Sequence, residues 1–209
     1  MMNNPNLDAI REIIKNDYIP YLTNKSVTNP KLLIYFLGVP GSGKTTLAKM
    51  LEQEFEAIRI SKDDIITILR TNFPQLRIPE LARLVNSQLE MILTEIARFP
   101  NGLVILDKSA DRQYQVVQKY AKKNNYQTYI INLDPPRYLV EQRIKKRSPN
   151  DYQYWLANMN DWWENHENAL QAVHYDFTVK SGDPEEINKL IFKLRTRISN
   201  LSTKIETGI

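Results

Sequence analysis

The chain has no cysteine and only two histidines, His166 and His174, among its 209 residues. Disulfides and thiolate metal sites are therefore excluded, and a histidine-based metal cluster is not expected. No apolar run approaches the roughly 20 residues that a membrane-spanning helix needs. The asparagine-rich start lacks the basic-then-apolar pattern of a signal peptide, so we expect a cytoplasmic protein with no membrane partner. The net charge of +4 suits a phosphorylated or polyanionic ligand.

Glycine is also scarce, yet three of the six glycines fall within residues 38–43. The phosphate-binding loop pattern G-x-x-x-x-G-K-[ST] is matched at every fixed position by Gly38-Val39-Pro40-Gly41-Ser42-Gly43-Lys44-Thr45. An apolar run at 32–37, typical of a buried parallel strand, precedes the loop, and helical apolar spacing at 45–55 follows it. The pattern therefore predicts a strand, a loop and a helix that bind ATP or GTP.

The residue types of this loop have physical reasons. Glycines let successive backbone N–H groups turn inward around a phosphate chain, and the helix start adds free N–H groups and a positive dipole end. Lys44 can reach the β- and γ-phosphates, and the Thr45 hydroxyl can ligate Mg²⁺. The residues expected to contact the nucleotide are Gly38, Pro40, Gly41, Ser42, Gly43, Lys44, Thr45 and Thr46.

Strand-like runs and helical patterns alternate along the chain after residue 31, which predicts an α/β fold with a mainly parallel sheet of five strands and helices on both faces. At 209 residues the chain can bury one good core. Residues 1–30 precede the first strand. Leu7, Ile10, Ile14 and Tyr18 have helical spacing there, and residues 24–30 are polar, so we expect a helix followed by a linker.

Acidic residues follow two of the predicted strands, at the strand ends where ligands bind in open α/β sheets. Asp63 and Asp64 come just after the short strand at 57–60, and Asp107 ends the apolar run at 103–106. A carboxylate at Asp63 can accept the proton of an attacking hydroxyl, as phosphoryl transfer requires, or it can merely stabilise a helix start. Asp107 is placed to hold Mg²⁺ with Thr45. We predict Asp63 as the base and Thr45 with Asp107 as the metal ligands.

A basic helix end supplies candidate cations. Arg143, Lys146 and Arg147 fall at i, i+3 and i+4 and so share one face. Such a run can be only a solvated face, but its position before the break at 148–151 fits a lid, at about 143–165, whose arginines neutralise the transferring phosphoryl group. Aromatic residues between 152 and 163 either stack a base or sugar ring or pack the lid against the core. Arg143 and Arg147 are the predicted catalytic cations.

Together these stretches resemble the P-loop kinases related to polynucleotide 5′-hydroxyl kinase, a broad set that includes the zeta-toxin-like kinases. The resemblance covers about residues 31–150 and rests on four stretches, residues 38–46, 59–64, 104–107 and 143–147. It implies a three-layer P-loop NTPase kinase fold over 31–209 with a helical lid, and ATP with Mg²⁺. It also implies Asp63 as the catalytic base and Arg143 and Arg147 as lid arginines.

The resemblance leaves the acceptor open. Phage-type polynucleotide kinases place an arginine three positions after the base, where this chain has Ile66. The zeta group is suggested by a helix before the loop, by residues 19–22 and by Asn72-Phe73-Pro74, but its typical Glu-Gly-Thr is not matched by residues 106–109.

We expect an ATP-dependent kinase that moves the γ-phosphoryl group to a hydroxyl, for example the 5′-hydroxyl of a polynucleotide or nucleoside. Alternatives are a kinase of a UDP-linked amino sugar, a nucleoside monophosphate kinase, whose phosphate acceptor needs no base, and a non-catalytic ATP-binding module. A GTPase switch is disfavoured because Asn24-Lys25 lies before the loop and Asn188-Lys189 lacks the acid of the guanine-reading N-K-x-D motif.

Overall fold

The computed structural model describes residues 7–23, 30–98 and 102–207. The predicted linker at 24–30 lies outside these ranges except for Pro30. Within them, no helix combines the length and the apolar character that crossing a membrane requires.

The described residues form one five-stranded sheet in which every neighbouring pair is parallel, in the order β2-β3-β1-β4-β5. Its strands are β1 Leu32–Leu37, β2 Ile58–Ser61, β3 Leu103–Ser109, β4 Gln127–Leu133 and β5 Phe177–Val179. All six residues of β1 are buried, as its unbroken apolar run predicts for a central strand covered on both faces. The predicted α/β fold with a parallel five-stranded sheet is confirmed.

Helices cover both faces of the sheet. They are α1 Leu7–Ile13, α2 Ile19–Thr23, α3 Lys44–Phe55, α4 Lys62–Asn72, α5 Ile78–Ala97, α6 Tyr114–Lys123, α7 Arg137–Arg147, α8 Tyr152–Ala172 and α9 Pro184–Thr207, with a π-helical turn at Ile14–Tyr18 and a 3₁₀ turn at Pro149–Asp151. One core lies between the sheet and α3 with α9, and another lies on the opposite face under the N-terminal helices, α4, α5 and α6.

The N-terminal helical segment is built into the second core. Ile10, Ile14 and Tyr18 are fully buried there. The Tyr18 hydroxyl accepts a hydrogen bond from the Ser61 N–H at 2.8 Å, while the Ser61 side chain caps α4 by accepting from the Asp64 N–H. The segment therefore supports the start of α4, which carries Asp63.

The strand order places a topological switch between β1 and β3. The chain leaves β1 toward β2 on one side and leaves β3 toward β4 on the other, so a crevice opens at the carboxyl ends of these neighbouring strands. The β1–β3 register also shifts there, because Tyr35 pairs with Leu106 but Phe36 pairs with Ser109. This irregularity displays Asp107 and Lys108 beside the loop that follows β1.

Candidate functional site

The phosphate-binding loop ends at the first turn of α3. Gly43 is the N-cap residue, with φ of 108°, and has no side chain that could cap the helix; the first turn of α3 contains no acidic residue. The N–H groups of Lys44, Thr45 and Thr46 therefore point out of the helix without an intrahelical partner, at the positive end of its dipole. This arrangement suits an anion.

Gly41 lies where the loop meets α7. Its φ is 83°, and a Cβ there would lie 2.9 Å from Ile144 Cγ1 and 3.3 Å from Val140 Cγ1. Val39, Val140, Ile144 and Met159 form a small buried cluster that joins the loop to α7 and α8. The predicted lid helix thus packs directly on the loop, and only glycine fits the contact without displacement.

Lys44 lies over the loop. Its ammonium donates to the carbonyl of Gly38 at 2.8 Å, to that of Val39 at 2.7 Å and to Ser42 Oγ at 3.2 Å. Burial lowers the pKa of Lys44 to about 8, although the negative charges of Asp111 and Asp107 oppose the shift.

Thr45 and Asp107 are brought together as predicted. The Thr45 hydroxyl donates to Asp107 Oδ1 at 3.0 Å. Mg²⁺ prefers oxygen ligands and is usually held by one or two protein oxygens together with phosphates, so a hydroxyl beside a carboxylate fits this ion. Among the residues that the structure describes, no group of three or more histidine, cysteine or acidic side chains is placed to hold a metal.

A buried arginine, which the sequence reasoning missed, holds the other oxygen of Asp107. The side chain of Arg59, in β2, is 8% exposed, and that of Asp107 is 2% exposed. The guanidinium donates at 2.7 Å to Asp107 Oδ2, to Glu52 on α3 and to Asp64 on α4. The sequence signal for Arg59 was its position between Ile58 and Ile60 in an apolar strand. A charge that is buried there needs oppositely charged partners.

Asp63 and Asp64, adjacent in sequence, have different environments. The Asp64 carboxylate is half-buried and forms a salt bridge with Arg59. Asp63 is exposed in the first turn of α4, and its carboxylate accepts no hydrogen bond from the described residues. Burial raises the pKa of the Asp107 carboxyl, and hydrogen bonds from Thr45 and Arg59 oppose this rise. The negative charge of Asp63 also raises the pKa of Asp107, which indicates that the two carboxylates lie near each other.

A second buried carboxylate, Asp111, ties three parts of the site together. It accepts the Gly38 N–H at 3.1 Å and the Ser109 hydroxyl at 2.7 Å, and His166 Nδ1 on α8 lies 3.2 Å away. Burial alone would raise the pKa of Asp111, but these hydrogen bonds and the His166 charge outweigh it and leave the pKa lowered. No sequence pattern identified this link between the loop and α8.

The two predicted lid arginines have different positions. Arg143 Nη1 donates to the carbonyls of Gly41 at 3.4 Å and Ser42 at 3.2 Å, so it lies on the loop. Arg147 lies over the Trp155 ring, 5.1 Å from its centroid, and is close enough to Lys44 to lower its pKa.

The aromatic side chains between residues 152 and 163 mainly pack against other parts of the protein. Tyr152, Trp155, Trp162 and Trp163 are partly buried against the small cluster under α7, whereas Tyr154 is 63% exposed. This favours the interpretation in which the aromatic residues hold the lid against the core.

A family model described as an AAA domain matches residues 33–169, about two thirds of the chain, from β1 well into α8. The chain belongs to the AAA domain family. The match contains the loop, Asp63, Asp107, Asp111, His166 and the two predicted lid arginines, Arg143 and Arg147. No curated protein matches the chain.

Solved structures share the fold. A provisionally assigned kinase from Chloroflexus aurantiacus is 16% identical, with a TM-score of 0.57 over 83% of this chain and 98% of that one. Shikimate kinase from Acinetobacter baumannii, in complex with shikimate, is 19% identical, with a TM-score of 0.54 over 83% and 95%. A structure of the PezAT toxin–antitoxin system of Streptococcus pneumoniae is 18% identical, with a TM-score of 0.54 over 76% and 68%. At these identities the likeness concerns the fold.

Proposed function

We propose that this protein is an ATP-dependent kinase that transfers the γ-phosphoryl group to a hydroxyl acceptor. The observation that carries the proposal is that the adjacent residues Asp63 and Asp64 have different environments. Arg59 binds the Asp64 carboxylate. The Asp63 carboxylate is exposed, lies near Asp107 and accepts no hydrogen bond from the part of the chain that the structure describes. A general base must be accessible to the proton it accepts, and Asp63 meets this requirement.

The nucleotide-binding residues act by position and charge. The free N–H groups at the start of α3 hold phosphate oxygens, and Lys44 exchanges its loop carbonyls for the β- and γ-phosphates. Thr45 and Asp107 supply protein oxygens for Mg²⁺, and bound Mg²⁺ contributes positive charge against the phosphates. Arg143, already on the loop, adds a cation on the α7 side.

In the proposed transfer, the acceptor oxygen forms a bond to the γ-phosphorus and the bond to the β-phosphate oxygen breaks, which leaves ADP. The acceptor proton passes to the Asp63 carboxylate. The shikimate kinase in the comparison is named for a hydroxyl-bearing substrate and shares this fold. A polynucleotide or nucleoside 5′-hydroxyl and a UDP-linked amino sugar are the candidate acceptors.

The test is transfer of labelled γ-phosphate from ATP, in Mg²⁺, to a panel of acceptors. The panel holds 5′-hydroxyl RNA and DNA, nucleosides, nucleoside monophosphates and UDP-linked amino sugars. We expect label on a hydroxyl of one acceptor class, and loss of both ATP affinity and transfer in Lys44→Ala. Label only on the phosphate of nucleoside monophosphates would replace the proposal by a nucleoside monophosphate kinase. ATP binding without any transfer would favour a nucleotide-binding module.

A further inference from the structure

Tyr18 lies at the open edge of the sheet, beside the start of α4. The strand order makes β2 an edge strand of the sheet that the described residues form, and an edge strand presents N–H and C=O groups that no neighbouring strand pairs. The Tyr18 hydroxyl accepts a hydrogen bond from the N–H of Ser61 at 2.8 Å and donates to the C=O of Ser61 at 3.4 Å. One side chain therefore binds both backbone polar groups of the last residue of β2.

Packing fixes the Tyr18 side chain in this position. Tyr18 is the last residue of the π-helical turn, is fully buried and shares a core with Ile65 and Leu69 of α4. The π-helical turn also contacts α4, and α2 contacts β2. Burial raises the pKa of Tyr18, although the hydrogen bond with Ser61 opposes the shift, so the hydroxyl stays protonated at neutral pH and remains a donor.

The direction of the Asp63 carboxylate depends on the backbone that Tyr18 binds. Asp63 lies two residues beyond Ser61, in the first turn of α4, and none of the described residues donates a hydrogen bond to its carboxylate. Its position is therefore set by the backbone of that turn. Ser61 is fixed there in two ways, because its Oγ accepts from the Asp64 N–H at 3.2 Å and Tyr18 binds its main chain.

We propose that Tyr18 is a positioning residue for phosphoryl transfer, whose hydroxyl fixes Ser61 and thereby directs the Asp63 carboxylate toward the acceptor. A displacement of about 1 Å in a reacting geometry can cost about 100-fold in rate. Tyr18 lies outside residues 33–169, which the AAA domain model matches, so this contribution comes from the N-terminal helical segment. The role in transfer rests on the proposed kinase function; the anchoring of α4 by Tyr18 does not.

The first test compares Tyr18→Phe with Tyr120→Phe in the whole chain. Tyr120 is the matched control, because its buried hydroxyl donates to the Leu93 carbonyl in the same core and its ring stacks on Tyr126, before β4 begins. We expect Tyr18→Phe to lower kcat at least about tenfold without changing KM for ATP, and Tyr120→Phe to change neither. An equal kcat in the two variants would overturn the proposal.

A double-mutant cycle shows whether Tyr18 acts through Asp63. In single-turnover assays of Asp63→Asn no carboxylate base remains to be positioned, so adding Tyr18→Phe should change the rate less than about twofold. A further loss of about tenfold in that background would overturn the role, because Tyr18 would then act on transfer by another route.

Hydrogen exchange of the protein without nucleotide, followed by NMR, tests the anchoring without a kinase assay. Loss of its acceptor should speed exchange of the Ser61 amide at least about tenfold in Tyr18→Phe, with no change in Tyr120→Phe. Unchanged exchange of Ser61 would overturn the anchoring, whatever the transfer assay gives. Faster exchange without transfer to any acceptor of the panel would retain the anchoring and remove the proposed kinase function, and with it the positioning role.

Discussion

Replacing Arg59 by methionine would remove the cation that three carboxylates share. The guanidinium lies 2.7 Å from oxygens of Glu52, Asp64 and Asp107, and its pair with Asp107 is almost fully buried. Removing one partner of a buried pair typically costs about 3–5 kcal/mol, because the remaining charge has no compensation. The more exposed pair with Asp64 adds little, since solvent screens it. For a chain of this size that cost corresponds to a fall in Tm of roughly 6–20 °C.

The loss should depend on pH in a defined direction. Burial already raises the pKa of Asp107, and the variant loses the opposing hydrogen bond from Arg59, so that pKa rises further. A carboxyl whose folded pKa lies above its unfolded value lowers stability at high pH, and this penalty disappears as the pH falls through the folded pKa. The difference in unfolding free energy between wild type and Arg59→Met should therefore be smaller at pH 5 than at pH 7.5.

Urea unfolding followed by circular dichroism measures both effects. Arg195→Met is the matched control, because Arg195 pairs with Glu54 on the surface and its side chain is 67% exposed; such a pair is worth less than about 1 kcal/mol. If Arg59→Met cost no more than Arg195→Met, or if its cost grew toward low pH, the reasoning about the buried arginine would be refuted.

Two further predictions concern the loop. Gly41→Ala should destabilise the fold by about 1–3 kcal/mol and weaken nucleotide binding, because the residue has a positive φ and the added Cβ would lie 2.9 Å from Ile144. In urea unfolding the control Gly182→Ala should cost less, because that residue has φ of 72° but no atom nearer than 4.0 Å to the added Cβ. Equal costs would exclude the contact with α7 as the cause. ATP affinity should fall as the pH rises through the Lys44 pKa of about 8, because bound phosphates favour the charged ammonium. Calorimetry between pH 7 and 9.5 should show this fall in the wild type and no fall in Lys44→Arg. A flat wild-type profile would contradict the role of Lys44 as the phosphate-binding cation.

Most of the fold could be predicted from local sequence patterns. Continuous apolar runs predicted β1 and β3, and the glycine-rich loop predicted the connection from β1 to α3. The strand order was not predictable in this way, because the alternation of strands and helices leaves open which strands are neighbours.

The loop motif located Lys44 and Thr45, and the end of an apolar run located Asp107; the roles of these residues stay predictions. Arg59, Asp111 and His166 were missed, because their partners are distant in sequence: Arg59 meets Asp107, and His166 meets Asp111, only after the sheet and α8 have formed.

The pair Asp63 and Asp64 could be located by sequence, but not divided into roles. Both are first-turn acids of α4 with the same side chain. The guanidinium of Arg59 separates them, since it binds one carboxylate and leaves the other accessible. That distinction requires three-dimensional contacts.

The most direct measurement is the single-turnover rate of γ-phosphoryl transfer to the acceptor that the panel identifies, for the wild type, Asp63→Asn and Asp64→Asn. We expect Asp63→Asn to lose at least about 100-fold in rate with nearly unchanged ATP affinity, and Asp64→Asn to lose some stability but only a few-fold in rate. Transfer by Asp63→Asn at the wild-type rate, or an equal loss of rate and ATP affinity, would contradict the role of Asp63 as the base.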